Sequence, residues 1–267
     1  MPKLRVNGAE IYYEDVGSGQ QTIVFAHGLL WSCRMFDAQV TALKARYRCV
    51  SFDFRGQGQT EVTKDGYDMD TLYQDAAALI EALSLAPCHF AGLSMGGFIG
   101  MRLAARRPEL LRSLILMETS ADPEPAENIP RYRQLGMVAR YVGLRPVAGR
   151  VMPIMFGKTF MADPDRTADR KLWQQRMAGN DKKGILNALN GVIERKPIYD
   201  ELGHITLPTL ILVGDEDVAT VPSKSQRMHE AIAGSRLVTI PRAGHTSSVE
   251  QPQAVTAAIE EFLASLP

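Results

Sequence analysis

Six residues, Gly92-Leu93-Ser94-Met95-Gly96-Gly97, constrain this chain more than any other stretch. The β-prone run Cys88-His89-Phe90-Ala91 leads into them, and Phe98-Ile99-Gly100-Met101-Arg102-Leu103-Ala104-Ala105 leads out with helical character. Gly-x-Ser-x-Gly in that setting implies a strand turning sharply into a helix. Such a turn strains the backbone of its central residue and brings its neighbours so close that only small side chains fit, which accounts for Gly92 and Gly96. It lifts the Ser94 hydroxyl above the sheet and aims the first N–H groups of the helix at whatever Ser94 attacks. Glycine and serine are common, so the five-residue pattern alone would fit a plain glycine-rich loop. The flanking strand and helix make Ser94 a candidate nucleophile.

The rest of the chain alternates around this turn. Leu4–Val6 and Ile11–Glu14 flank the hairpin dipeptide Asn7-Gly8. Continuous apolar runs at 22–26, 48–52 and 111–117 read as buried parallel strands. Between them fall helical patterns at about 35–45, after Asp70 (Leu72, Ala76, Leu79, Ile80 and Leu83 on one face, stopped by Pro87), and after Ser94 up to Pro108. That order implies a mostly parallel sheet with helices on both faces. The character changes at Asp122-Pro123-Glu124-Pro125. From there to about Asp200 the pattern is helical, with Leu135, Val138, Ala139 and Val142 on one face and Ile185, Leu186, Leu189, Val192 and Ile193 on another. Strands resume at 208–213 and 237–240, a helix opens at Pro222, and a last helix carries Val255, Ile259, Phe262 and Leu263. The expected organisation is a core of residues 1–121 and 201–267 with a helical cap, 122–200, over the carboxyl ends of the strands.

Charge and cysteine content narrow the partners. The chain carries 30 basic and 30 acidic residues among 267, so its formal net charge is zero. That balance argues against nucleic acid or an anionic membrane as the main partner. Three widely spaced cysteines, Cys33, Cys49 and Cys88, read as buried free thiols suited to a reducing compartment. With no signal-like apolar core near the start and no run of transmembrane length, a soluble cytoplasmic protein is expected. No His/Cys/Asp/Glu cluster has metal-ligand spacing and no Gly-x-Gly-x-x-Gly follows the first buried strand, so neither metal nor other cofactor is expected.

Reactive groups gather at strand ends: His27-Gly28, Ser94, Asp215-Glu216-Asp217 and His245. A serine hydroxyl needs a base within hydrogen-bond reach, histidine serves as one near neutral pH, and a carboxylate must hold the imidazole in the right tautomer. His89 and His229 read as structural or surface groups, and His204 lies in the return from the helical segment. His245 is the candidate base. The acid is Asp215 or Asp217.

With His27-Gly28, Asp53-x-Arg55-Gly56-x-Gly58, the Gly92–Gly97 turn, Gly214-x-x-Asp217 and Ala243-Gly244-His245, the chain resembles the α/β-hydrolase fold superfamily over nearly its whole length. It is similar to its capped esterases, enol-lactonases and cofactor-free haloperoxidase-like members. The resemblance implies a mostly parallel eight-stranded sheet and a catalytic triad of Ser94, Asp217 and His245, the acid lying three residues after the strand-ending glycine. It implies an oxyanion hole from the backbone N–H groups of Met95 and Leu29, with His27 supporting that loop. Serine at position 94 departs from epoxide hydrolases and haloalkane dehalogenases, whose nucleophile is aspartate. Asp53 and Arg55 read as an ion pair holding their turn. Candidate substrate-binding residues are Leu30 and Trp31 beside the oxyanion loop, and Met155, Phe156, Phe160 and Trp173 in the cap, where methionine and aromatic side chains make adaptable apolar walls.

The expected activity is hydrolysis of small to medium apolar esters or lactones through an acyl-enzyme. A C–C bond hydrolase or cofactor-free perhydrolase using the same triad is the alternative. A non-catalytic small-ligand receptor on the same fold is a third reading, to which an intact set of Ser94, Asp217 and His245 is opposed.

Overall fold

The computed structural model describes residues 2–266. Among them, eight strands form one sheet: β1 (Lys3–Val6), β2 (Ala9–Val16), β3 (Thr22–Ala26), β4 (Arg48–Phe52), β5 (Cys88–Leu93), β6 (Leu111–Met117), β7 (Thr209–Gly214) and β8 (Arg236–Ile240). Their spatial order is β1-β2-β4-β3-β5-β6-β7-β8. β1 and β2 are antiparallel, joined through Asn7 and Gly8, both at positive φ. β2 runs antiparallel to β4, and from β4 to β8 every pairing is parallel. This is the α/β-hydrolase fold.

The helices are α1 (Asp37–Leu43), α2 (Met69–Ala82), α3 (Met95–Arg106), α4 (Ile129–Val142), α5 (Arg145–Met155), α6 (Lys158–Ala162), α7 (Thr167–Ala178), α8 (Lys182–Ile193), α9 (Pro222–Ala231), α10 (Ser247–Glu250) and α11 (Pro252–Ala264). The central strands are buried on both faces, which is why they read as unbroken apolar runs. Along β3, Val24 and Ala26 pack with Leu72, Ala76 and Ile80 of α2 and Ile99 and Leu103 of α3. Ile23 and Phe25 face the other way, toward Leu43 of α1 and Val255, Ile259 and Phe262 of α11.

Two local expectations are corrected. α2 does not run to Pro87. It ends at Ala82, with Ser84 in the left-handed region at φ 53°. The N–H of Leu85 bonds the carbonyl of Ile80 and that of Ser84 bonds Glu81, the paired bonds of a Schellman termination. Serine at the position usually held by glycine hid the stop. Val142 is not on the buried face of α4; it stands 56% exposed at the helix end, before Gly143.

From Asp122 to Asp200 the regular elements are helical: α4 to α8 and short 3₁₀ turns. α8 rests directly on core loops, because a Cβ at Gly184 would lie 1.9 Å from the carbonyl oxygen of Gly56 and one at Gly191 2.0 Å from that of Tyr67. α4 packs against α5 and α8. The loop from Gly157 into α6 is held by two carboxylates. Glu250 accepts from the N–H of Gly157 at 2.8 Å and Glu216 from the N–H of Thr159 at 2.8 Å. No helix among the described residues is long and apolar enough to cross a membrane.

Candidate active site

Ser94 sits between β5 and α3 with φ 53° and ψ −110°, a conformation that L-residues adopt only when their surroundings impose it. Three hydrogen bonds impose it: Ser94 N–H to the Met117 carbonyl at 2.8 Å, the Thr119 hydroxyl to the Ser94 carbonyl at 2.8 Å, and Gly96 N–H to the His27 carbonyl at 3.1 Å. The glycines are a matter of contact. A Cβ on Gly92 would fall 2.3 Å from the Gly96 carbonyl oxygen, and one on Gly96 would fall 2.0 Å from that of Ala26. No side chain larger than hydrogen fits at either place.

His245 follows β8 and Asp217 follows β7. His245 Nδ1 lies 2.9 Å from Asp217 Oδ2 and both side chains are buried. Asp217 accepts three more hydrogen bonds: from Ala219 N–H at 2.8 Å, Thr220 N–H at 3.0 Å and the Thr220 hydroxyl at 2.8 Å. Burial pushes this carboxyl up. The His245 ring and the Thr220 bonds outweigh it and hold Asp217 below the ordinary carboxylate range. A carboxylate so held accepts a hydrogen bond from Nδ1–H, which keeps the ring proton there and leaves Nε2 of His245 as the free acceptor nitrogen. Asp215 is occupied elsewhere; its carboxylate accepts from Ala243 N–H at 3.4 Å, a turn contact.

The loop after β3 is tied down by a histidine whose tautomer the structure defines. His27 is fully buried; its Nδ1 lies 2.7 Å from the Gly28 carbonyl, and its Nε2 accepts from Phe54 N–H at 3.0 Å. Only a neutral ring protonated on Nδ1 makes both bonds, and burial lowers its basicity to match. Leu30 N–H is taken by Gln57 Oε1 at 2.8 Å and Trp31 N–H by the Gly28 carbonyl. The N–H groups of Leu29 and Met95 have no hydrogen-bond partner among the described residues. They are the two groups that the resemblance implies as oxyanion donors.

Ser94, His245, Thr220 and Leu29 line one cavity, of about 120 Å³, with walls from α4, α5 and α8. Its surface is overwhelmingly apolar: Leu30, Val147, Ile154, Met155, Leu186 and Leu189 among others. The polar end beyond them is Tyr132 with the buried pair Arg195–Glu124, 2.6 Å apart.

The pocket assignment needs correction. Leu30 and Met155 line the cavity, but Trp31, Phe156, Phe160 and Trp173 do not. They pack on one another, Trp31 edge-on to Phe156 and Trp173 and Phe156 stacked on Phe160 at 4.6 Å, and fasten α5–α7 to the core. Large flat side chains bury most area where two rigid layers meet, which is the joint and not the hollow. The wall is built mostly of aliphatic residues from α4, α5 and α8. Nor do Asp53 and Arg55 pair with each other. Arg55 makes a bidentate bond to Asp75 of α2, at 2.6 and 2.7 Å, while Asp53 accepts from the N–H groups of Cys33 and Gln59. All three cysteines are free and buried.

Sequence reading missed Thr220, Gln57, Glu250 and Glu118. Of these, Thr220 alone carried a signal, its place three residues beyond Asp217 in the same turn. Glu118, at the end of β6, is fully buried and accepts from Gly214 N–H, the residue that begins the Asp217 turn. Burial, with Asp217 and Glu250 nearby, raises its carboxyl well above the ordinary 4.5. The folded chain thus binds this proton more tightly than the unfolded one. The stability it contributes is complete below pH 4.5 and drains away as pH rises through the raised value. Glu118→Gln does not titrate, so its melting temperature should gain on wild type as pH climbs from 4.5 to that raised value and level off above it. A difference that stays flat from acid to neutral pH would show that Glu118 folds ionised.

The sequence matches the model of the alpha/beta hydrolase family over residues 23–259. A Mycobacterium tuberculosis protein that carries a non-heme bromoperoxidase name is 33% identical over 264 residues, 95% of this chain and 97% of that one. Among solved structures, the enol-lactonase from Burkholderia xenovorans superposes with a TM-score of 0.92 at 29% identity, covering 99% of this chain and 100% of its own. The thermophilic esterase from Thermogutta terrifontis gives 0.91 at 29% identity, covering 100% and 99%.

Proposed function

This chain belongs to the alpha/beta hydrolase family, and we propose that it is a serine hydrolase cleaving carboxylic esters or lactones of small to medium apolar groups. The observation that carries the reading is the joint presence of Ser94 and of an Asp217-bound His245 on the wall of one apolar cavity. Ser94 Oγ attacks the acyl carbon while His245 Nε2 takes its proton. The carbonyl oxygen, now an anion, receives the Leu29 and Met95 N–H bonds. Collapse expels the alkoxide, which leaves with the proton from His245, and Ser94 stays acylated. Water then repeats the two steps with the proton moving the same way, releasing the acid. In a lactone, the leaving oxygen remains part of the product.

In this reading residues 122–200 act as a cap that shields the acyl-enzyme from bulk water, and α4, α5 and α8 set the length of acyl group accepted. The relatives include an enol-lactonase and an esterase by name, which supports an oxygen-ester substrate class. Hydrolysis of a panel of p-nitrophenyl esters and lactones, set against vinylogous diketones and peracid formation from acetate and peroxide, tests the reaction type. Labelling of Ser94 by a fluorophosphonate tests whether the chain is catalytic at all. Turnover confined to diketones or peroxide would overturn the ester assignment, and no labelling would point to a receptor.

Met155→Trp should shorten the accepted acyl chain. The larger ring fills cavity space, and each buried methylene it displaces is worth about 0.8 kcal/mol of binding. We expect acetate esters to turn over within a few-fold of wild type while hexanoate and longer esters lose roughly tenfold or more in kcat/KM. An unchanged chain-length profile would place the acyl group elsewhere.

A further inference from the structure

The zero net charge of this chain is an average of two unequal parts. Between Ile129 and Ile193 stand twelve Lys and Arg against four Asp and no Glu, so this stretch carries +8 and the remainder −8. The excess is concentrated on one surface. Arg133, Met137, Arg140 and Tyr141 recur at helical spacing on the outer side of α4, opposite the side that bears buried Gly136 and Ala139. Met137 is 62% exposed and Tyr141 81%. Lys182 Nζ donates to the Arg140 carbonyl at 2.9 Å, which sets the first turn of α8, with Lys183, beside the last turn of α4. Arg145 opens α5 immediately beyond. These five cations are exposed and make no ion pair among the described residues, whereas Arg166 and Arg176 of the same stretch are paired.

We propose that this outer face of α4, with the adjoining ends of α5 and α8, docks onto an anionic phospholipid surface. Unpaired cations interleaved with exposed large apolar side chains suit a bilayer interface, where the cations meet phosphates and the apolar groups enter the acyl boundary. A polyanion such as RNA would satisfy the cations and leave Met137, Tyr141 and Val142 without apolar partners. The opposite side of α4, through Tyr132, Leu135, Gly136 and Ala139, lines the cavity. Docking would therefore set the cavity wall next to the membrane and give lipophilic molecules a short path to it. The surface itself is read by binding, so it stands or falls independently of the hydrolytic reading.

The test is cosedimentation of the full-length protein with vesicles of phosphatidylcholine alone and with a third of phosphatidylglycerol added. We expect binding to the anionic vesicles only, weakened strongly by raising salt to half molar. The double variant Arg133→Glu/Arg140→Glu should lower that binding at least tenfold, and Tyr141→Ser should lower it several-fold. Both should keep wild-type melting temperatures and wild-type hydrolysis of a short water-soluble ester, since none of the three residues lines the cavity. Equal binding to both vesicle types, no binding to either, or variants that bind like wild type would each overturn the proposal. So would self-association through this face, seen as a dimer in sedimentation velocity that the double variant abolishes while vesicles stay unbound. If the double variant fails to fold, the salt dependence of the wild type and the Tyr141→Ser result still decide.

Discussion

Ser94→Ala should abolish turnover of an activated ester, by on the order of 10⁴-fold or more, and leave the protein folded. The loss is large because the acyl-enzyme cannot form. What remains is the polarisation supplied by the Leu29 and Met95 N–H groups and by binding. Stability should barely move, because alanine adopts the same backbone and the Ser94 hydroxyl makes no bond that holds the turn; the turn is held by backbone groups and Thr119. Circular dichroism and a thermal melt check the fold, and a p-nitrophenyl acetate assay checks the rate. A variant keeping even a tenth of wild-type turnover would refute the proposed mechanism.

Asp217→Asn should cost roughly 10⁴-fold in kcat, with Asp215→Asn within a few-fold of wild type. An amide at 217 can present its NH₂ to Nδ1 of His245 and so favour the tautomer protonated on Nε2, which cannot accept the proton of Ser94. The environment sharpens the contrast. Asp217 takes four hydrogen bonds in a buried turn, while Asp215 takes one long bond from Ala243 N–H. Asp217→Asn should also lose stability, because the Ala219 and Thr220 donors face the same side chain. Comparing kcat for the two variants at matched folded fractions separates the effects. The opposite ranking would move the acid to Asp215.

The sheet was legible because its strands are buried on both faces. Thr22–Ala26 and Thr209–Gly214 can be little else than central strands when each is bounded by turn residues. The location of Ser94, Asp217 and His245 at strand ends followed from those runs. Contacts made across the chain were not legible. Arg55 sits two residues from Asp53 yet bonds Asp75, since the choice depends on where α2 lies and not on sequence distance. The division of the aromatic residues between joint and hollow was invisible for the same reason. Phe156 and Phe160 have the spacing of one helix face, but Phe156 caps α5 in an extended conformation, Phe160 belongs to α6, and the two stack on each other with Phe156 against Trp31, outside the cavity of Ser94. Glu118 offered no pattern at all, because a lone acid after an apolar run looks like the start of a loop.

The carboxylates that grip the Gly157 loop have a mechanical meaning. Glu216 stands one residue before Asp217, and Glu250, which also accepts from the N–H groups of Gly244 and Thr246, straddles His245. Gly157 and Gly244 meet backbone to backbone, so that a Cβ on Gly244 would lie 2.2 Å from the Gly157 nitrogen. The roof of the cavity is thus bolted to the same two turns that carry Asp217 and His245. Along its other side α8 is seated on Gly56 and Tyr67. A roof fixed along both eaves cannot swing up as a whole without disturbing the turns of Asp217 and His245. An opening that left those turns in place would have to displace α4, which packs on α5 and α8.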